Sequence, residues 1–354
     1  MLNLFFLPAT IALVISYTLT PFVIRFAKTT GLVDDPQKNR HPKVIHTYPV
    51  PRAGGLAIAI CVIICSIIFL PLDKHLTGIL AGIVILSIMG LLDDKYNLNP
   101  YFRLGIQFLA ASAPIAAGIG IAFVTNPFNG TFDLSFPRVS FEVLGDIKNI
   151  WILSDVFALF WIVSLMNFLN MGAKGIDGQL PGVAAIAAFT ISILSLKFSA
   201  DVTEWPVTIL SAVTFGAFLG FLPWNTFPQK IMPGFLGSNI AGYLLGVLSI
   251  LSTAKVGTLM VVLGVPLVDT SYTIIRRLLS KKSPVWGDRG HLHHKLLDAG
   301  MSKRHVSFFY WGSTALLGTL ALYLNSTFKL YTIVGVGIFI GGLLLWLTYR
   351  PQQK

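Results

Sequence analysis

Apolar residues run through this chain in eleven blocks, at roughly 5–24, 54–71, 76–92, 104–125, 151–168, 182–198, 206–222, 238–253, 256–275, 306–325 and 330–348. Each is about the ~20 residues that carry a helix across a ~30 Å hydrocarbon core. Inside such a core the backbone N–H and C=O groups must pair within their own segment, so the blocks are predicted to be helices despite their wealth of Val, Ile and Phe. Between them lie polar clusters: DDPQKNRHPKVIH (34–46), LLDDKYNLNP (91–100), NFLNMGAKGIDG (167–178), PWNTFPQKIMPG (223–234) and GDRGHLHHKLL (287–297). No internal repeat and no soluble block interrupts the series. The expectation is an all-α, polytopic integral membrane protein, a single transmembrane domain over 1–354.

Composition and charge sharpen that picture. Hydrophobic residues make up 54% of the chain and charged residues only 12%, more apolar surface than a soluble domain of this length hides. With the N-terminus outside, 20 Lys and Arg fall in the inner segments and 6 in the outer ones. Basic residues collect in cytoplasmic loops, so all five polar clusters are expected on the cytoplasmic side. The net charge of +11 needs no nucleic-acid partner; anionic lipid headgroups and a phosphorylated substrate explain it. The first apolar block has neither a basic leader nor a small-residue cleavage site and reads as a retained helix. Cys61 and Cys65, four apart on one helix face, read as packing rather than as a disulfide or metal site. The outer stretch 126–150 alternates polar and apolar residues and predicts a short hairpin; its Asn129-Gly130-Thr131 triplet fits a glycosylation sequon.

Carboxylates at the membrane boundary are costly unless a cation or donor compensates them. Asp93 and Asp94 end an unbroken apolar run there, and point about 100° apart on a helix, so that one faces a cation while the other faces a substrate. Arg40, Lys43 and His46 lie in a proline-stiffened loop, followed by a Pro-Arg-Ala-Gly-Gly turn whose backbone N–H groups are suited to an anion. Asn167 and Asn170 share a helical face, with Asp177 in the glycine-rich loop beyond; their oxygens suit magnesium or the edge of a base. His291, His293 and His294 lie too close together for a typical zinc site. Beside Arg289 they read as donors to phosphate oxygens.

In this order the clusters resemble those of the polyprenyl-phosphate N-acetylhexosamine-1-phosphate transferases (glycosyltransferase family 4). That superfamily includes undecaprenyl-phosphate GlcNAc-1-phosphate transferases and phospho-N-acetylmuramoyl-pentapeptide transferases. The similarity spans about residues 15–300. It rests on DxP (Asp34 to Pro36) with HxxPxPRxGG (His46 to Gly55), LLDD (Leu91 to Asp94) with FRL (102–104), and NxxN then DG (Asn167 to Gly178). FLxxNxxPxKI (Phe221 to Ile231), Gly237-Ser238, PxxD (Pro266 to Asp269) with Arg276-Arg277, and HxHH (291–294) complete it. Each piece is weak alone; their order and common side make the match specific. The HxHH form is similar to the branch that uses simple UDP-N-acetyl sugars.

The resemblance implies transfer of N-acetylhexosamine-1-phosphate from a UDP-sugar to a polyprenyl phosphate, with release of UMP. This is the first membrane step of cell-envelope glycan synthesis, carried out at the plasma membrane by a multi-pass, often dimeric, enzyme. Asp93 and Asp94 are the implied catalytic pair, deprotonating or positioning the lipid phosphate. Arg40, Lys43, His46, Asn170, Asp177, Asn225, Arg289, His291, His293 and His294 are the implied substrate-binding set. Magnesium, or manganese in its place, falls to Asp93, Asp94 and Asp177. Two departures bear on this. The family's NxxDGxDG reads NMGAKGIDG here, with Ala173-Lys174 where its first Asp stands, and its GDxGS reads Gly234-Phe235-Leu236-Gly237-Ser238. A phenyl ring cannot coordinate a hard cation, and Phe235 is instead suited to stacking on a uracil face. The alternative function is therefore a catalytically impaired relative that binds polyprenyl phosphate or nucleotide without turnover. A transporter is disfavoured, because its charges would sit nearer the midplane of two repeated halves.

Overall fold

A computed structural model describes residues 3–37, 44–143, 146–198, 200–252, 255–284 and 287–349. The polar stretch before the first internal helix folds as a two-residue pairing of β1 (Val33–Asp34) with β2 (Val50–Pro51), which follows α1 (Asn3–Thr29). Then come α2 (Gly54–Phe69), α3 (Lys74–Tyr96) and α4 (Pro100–Ala116). The Asp73 side chain caps α3 by accepting from the Leu76 N–H at 2.8 Å. Asn97, at φ 50°, ends it. Asn99 caps α4, with Pro100 at the first helical position, where a missing N–H costs nothing.

The anticipated block 104–125 is helical only to Ala116. Gly118 turns the chain at φ +99°, and the following residues pair as a hairpin of β3 (Phe123–Thr125) with β4 (Thr131–Asp133). A second hairpin, β5 (Arg138–Val143) with β6 (Asp146–Trp151), completes the outer stretch. There are thus two hairpins where one was expected. The helical part resumes with α5 (Ile152–Gly172), α6 (Gln179–Lys197), a short 3-10 turn at Val202–Glu204, α7 (Trp205–Asn225) and α8 (Gly234–Leu251). The block expected at 256–275 is broken into α9 (Lys255–Val262) and α10 (Gly264–Leu279), which meet at 84°. Pro266 has no N–H to give the Val262 carbonyl, and its ring crowds that turn. The short α11 (Leu292–Asp298), α12 (Lys303–Tyr323) and α13 (Ser326–Tyr349) follow.

All eleven apolar blocks are helical at least in part, but their lengths differ from the expectation of eleven equal spans. Among the described residues seven helices are long and apolar enough to cross a membrane, or eight if the bent pair counts as one. The α2 and α4 helices, at 16 and 17 residues, are shorter. At the centre stands α8, packed on α2, α3 and α5 and buried along nearly its whole length. Cys61 and Cys65 are free and buried in the core, as expected for packing residues. By contrast α1, α3 and α13 carry large exposed apolar side chains such as Phe22, Ile88 and Phe339. The C-terminal ends of α3, α5, α7 and α10 and the N-terminal ends of α4, α8 and α11 contribute residues to one cavity.

Candidate active site

Asp93 and Asp94 occupy the last turn of α3, both buried. They face different neighbours, as their angular separation requires. Asp93 pairs with Arg103 at 2.7 Å and accepts from the Leu98 N–H at 3.1 Å. Asp94 pairs with Arg52 at 3.5 Å and accepts from the Phe235 N–H at 3.0 Å. Its second oxygen, Oδ2, is buried with no hydrogen-bond partner. This approach depends on Gly234, at φ +69°, where a Cβ would run into the Asp94 carboxylate and the Arg52 carbonyl. Glycine lets the first turn of α8 close onto Asp94 and aim an N–H at it.

The Pro-Arg-Ala-Gly-Gly turn does not present its N–H groups to a ligand. Gly54 donates to the Met232 carbonyl and Gly55 to the Pro233 carbonyl, both at 2.9 Å, and Met232 donates back to Pro51. The turn is instead a brace that holds Arg52 beside Asp94.

Asn170 accepts from the Ser238 hydroxyl at 2.9 Å and lines the cavity. Asn167 does not; it donates to Gln107 and to the Val163 carbonyl, tying α5 to α4. The loop between α5 and α6 is held by Gln179, whose side chain accepts from the Gly175 and Ile176 N–H groups and donates to the Gly172 carbonyl. Gly175 leaves no room for a Cβ against the His293 ring. At the loop's end Asp177 is buried, 3.8 Å from the Lys303 ammonium, with its Oδ2 unpartnered. Burial raises its pKa; the Lys303 charge and backbone N–H groups oppose that rise. Asn225, expected to bind substrate, has its amide committed to the protein. It accepts from the Gly178 N–H and donates to Gln229 and to the Ile231 carbonyl. It positions the Asp177 loop.

The histidines are not in a solvated loop. His291 caps α11, and His293 and His294 lie in its first turn, all buried. Nδ1 of His291 is 3.1 Å from Asp269, whose other oxygen accepts from the Leu292 N–H. The His291 and His293 rings stack at 5.5 Å, and Nδ1 of both His293 and His294 lacks a partner. Burial, then the nearby Arg289 and His291, lower the His294 pKa to about 4; burial and the neighbouring imidazoles lower His293 well below its ordinary value. Both are neutral at pH 7, so each supplies one N–H and one lone pair rather than a charge. Arg289, expected to bind substrate, pairs with Asp298 at 2.6 Å and is not among the residues that line the cavity. Arg40 and Lys43 lie outside the described residues, while His46 is buried at the cavity wall.

Asp93, Asn170, Asp177, Asn225, His46 and the three histidines line a cavity of about 640 Å³, whereas Asp94 is not among the lining residues and lies against Arg52 and Phe235 of the wall. The cavity also brings in residues that the sequence reading left without a role. Arg52 and Arg103 belong to quoted motifs, and Asp269 to the PxxD piece, so a signal existed for each. Arg277, at the end of α10, shares Asp288 with Arg276. Burial alone would raise the Asp288 pKa, but the Arg277 and Gly290 hydrogen bonds and the two guanidinium charges bring it to about 2. Phe235 lines the cavity but is only 4% exposed. Its ring lies 5.2 Å from the Arg103 guanidinium and 6.0 Å from the Lys174 ammonium. Those cations lie against its face.

The expected magnesium set of Asp93, Asp94 and Asp177 is not assembled. Among the described residues no three His, Cys, Asp or Glu side chains come together as a ligand set. Asp93 and Asp94 already face Arg103 and Arg52. One free oxygen on Asp94 and one on Asp177 do not make a resident site for an ion that needs near-octahedral oxygen coordination.

Residues 76–253 match the family model described as Glycosyl transferase family 4, which spans α3 to α8. A Bacillus subtilis protein named "Probable undecaprenyl-phosphate N-acetylglucosaminyl 1-phosphate transferase" is 33% identical over 81% of this chain and 75% of its own length. A decaprenyl-phosphate N-acetylglucosaminephosphotransferase of Mycolicibacterium smegmatis is 28% identical over 93% of this chain and 84% of its own. An undecaprenyl-phosphate alpha-N-acetylglucosaminyl 1-phosphate transferase of Thermotoga maritima is 28% identical over 79% and 78%. With a matched segment that carries Asp93, Asp94, Asp177 and Phe235 and a relative above 30% identity along most of both chains, this membrane protein belongs to glycosyl transferase family 4 and is a phosphoglycosyltransferase.

Proposed function

We propose that the protein transfers N-acetylglucosamine-1-phosphate, or a close N-acetylhexosamine counterpart, from a UDP-sugar to polyprenyl phosphate. The reaction would take place at the cytoplasmic face of the plasma membrane. One observation carries this reading: buried Asp93 at the end of a membrane helix opens, with Arg52, Arg103 and Lys174, onto a cavity walled by imidazoles, and Asp94 lies against Arg52 and the Phe235 N–H of its wall. Such a cavity suits a site where a lipid-borne phosphate meets a water-soluble diphosphate. The three relatives described are named for N-acetylglucosamine and a polyprenyl phosphate, which supports both choices.

In the proposed reaction an oxygen of the lipid phosphate attacks the sugar-linked phosphorus. The new P–O bond makes a lipid diphosphate sugar, and the broken P–O bond releases UMP. Phosphoryl transfer asks mainly for alignment and for neutralisation of the equatorial oxygens. Asp94 Oδ2, a buried oxygen that no protein donor occupies, takes or holds the proton of the lipid phosphate. Arg103, Arg277 and Lys174 face the phosphates. Neutral His293 and His294 donate one hydrogen bond each, preorganised donors being worth most where charge develops. Magnesium or manganese would enter this reading only as the companion of the nucleotide diphosphate, part of whose charge it would neutralise.

The test is transfer of radiolabel from a UDP-N-acetyl sugar into a lipid fraction by the purified protein with polyprenyl phosphate, with and without magnesium. Label in lipid supports the reading. Nucleotide binding without any transfer would support the impaired-relative alternative.

A further inference from the structure

A second cavity of about 510 Å³ opens where α1 and α7 end. Arg25 and Lys28 reach it from the last turns of α1, and Lys230 from the loop after α7. Its floor is aromatic: Trp224, with the Lys230 ammonium 4.9 Å over its ring, and Tyr48. No Asp or Glu lines it, and among the described residues no ion pair is recorded for Arg25, Lys28 or Lys230. Trp224 fixes the wall by donating its indole N–H to the Tyr17 carbonyl at 3.1 Å, with the Tyr17 and Trp224 rings 5.3 Å apart.

The face of α1 that leads to this cavity changes character along its length. Val14, Tyr17, Pro21, Ile24, Arg25 and Lys28 follow one another at helical spacing and so share a stripe. Val14 and Tyr17 are exposed apolar residues; Arg25 and Lys28 are cations at the helix end. An apolar track that finishes in a basic, aromatic-floored hollow has the profile of a membrane lipid, chain below and headgroup above. The tendency of basic residues to stay in cytoplasmic loops accounts for cations scattered over that side. It does not account for three of them, drawn from two elements, converging on one concavity without an acid.

We propose that this hollow is a headgroup site for a phosphate-bearing membrane lipid, whose acyl chain lies along the Val14–Tyr17–Pro21–Ile24 stripe. The site is distinct from the cavity around Asp93, and it does not depend on the reaction proposed above. It is one layer away from that cavity. Tyr48 donates to the Gln229 carbonyl at 3.0 Å, Gln229 borders both hollows, and its side chain accepts from Asn225, which holds the Asp177 loop. A bound headgroup therefore rests against the wall that positions the loop.

The test is native mass spectrometry of the purified full-length protein, titrated in neutral detergent with phosphatidylglycerol or phosphatidylcholine. Three variants are compared: Arg25→Gln/Lys28→Gln/Lys230→Gln, a charge-matched control Lys95→Gln/Lys281→Gln/Lys282→Gln, and Lys230→Gln alone. Each basic residue near a membrane surface adds about five-fold to anionic-lipid binding, so removing three should cost roughly 100-fold. The expected result is preferential retention of phosphatidylglycerol by wild type and control, loss of that preference in the triple variant, and a several-fold loss in Lys230→Gln. The single variant, in a loop, carries the test if the triple one fails to fold. Equal losses in control and pocket variants would reduce the effect to general surface charge and overturn the proposal. Displacement of the lipid by millimolar inorganic phosphate would show a site for free phosphate, and unchanged retention in Lys230→Gln and the triple variant would remove the site altogether.

Discussion

Asp93 and Asp94 are adjacent in sequence but stand in unlike surroundings, and replacing each by asparagine should separate stability from turnover. Asp93 makes the tighter ion pair, 2.7 Å to Arg103, with its own side chain 1% exposed and that of Arg103 21%. It also receives the Leu98 N–H that ends α3. Losing a hydrogen bond to a charged group costs about 1.5–3 kcal/mol, so Asp93→Asn should lower the unfolding midpoint as well as activity. Asp94 sits 3.5 Å from an Arg52 that can rehydrate, and an amide oxygen can keep the Phe235 N–H. The structural cost of Asp94→Asn is then that of one ordinary hydrogen bond, about 0.5–1.5 kcal/mol. Its chemical cost is larger. If Oδ2 handles the lipid-phosphate proton, removing it should slow transfer by roughly 10²–10⁴-fold, about 2.7–5.4 kcal/mol of barrier. The assay pairs radiolabel transfer with a thermal midpoint in the same detergent. Turnover of Asp94→Asn within about ten-fold of wild type would refute the assignment of Oδ2.

The other predictions follow from the neighbouring groups. Alanine at His293 or His294 should cut transfer by about 100-fold or more, the scale of losing a donor to developing charge; unchanged kinetics would leave both as packing residues. The pKa of His294 in the folded protein, about 4, lies below its ordinary 6.5, so between those values the unfolded chain binds more protons. Its contribution to stability is therefore complete above pH 6.5 and lost as the pH falls toward 4, which a denaturation midpoint measured across that range should show and His294→Gln should flatten. Nucleotide-free protein should bind manganese poorly in a paramagnetic-resonance titration and acquire it on adding UDP, whereas Phe235→Asp should create nucleotide-free binding. Stoichiometric binding by the nucleotide-free wild type would show that other residues already form the site.

The helical, membrane-spanning character was legible because hydrophobic period and length are local properties of the chain. The breaks were less so. Pro266 stands plainly in the block at 256–275, but the 84° bend depends on how α9 and α10 pack after the proline frees a carbonyl. The site's composition was also legible: Asp93, Asp177, Asn170, His46 and the three histidines do line one cavity. Roles were not. Arg289 has the right charge in the right loop yet pairs with Asp298, and Asn225 spends its amide on backbone groups brought from residues 178 and 231. Partners of that kind are set by tertiary contact between distant segments, which motif spacing does not encode.

The two departures from the family pattern, far apart in sequence, meet in space. Lys174 stands where the resemblance implied an acid, Phe235 stands where it implied a second, and the ammonium of the first lies 6.0 Å from the ring of the second. Losing an anion at 235 and gaining a cation at 174 shift the local charge in the same direction, the direction in which a bound divalent ion would shift it. The Lys174 charge also reaches Asp94, alongside those of Arg52 and Asp93. A carboxylate at 235 would sit between Arg103 and Lys174 and cancel part of the field they present to a phosphate, whereas a phenyl ring is held by those cations without neutralising them. The two residues therefore act together: both raise the positive charge that the site's own side chains present.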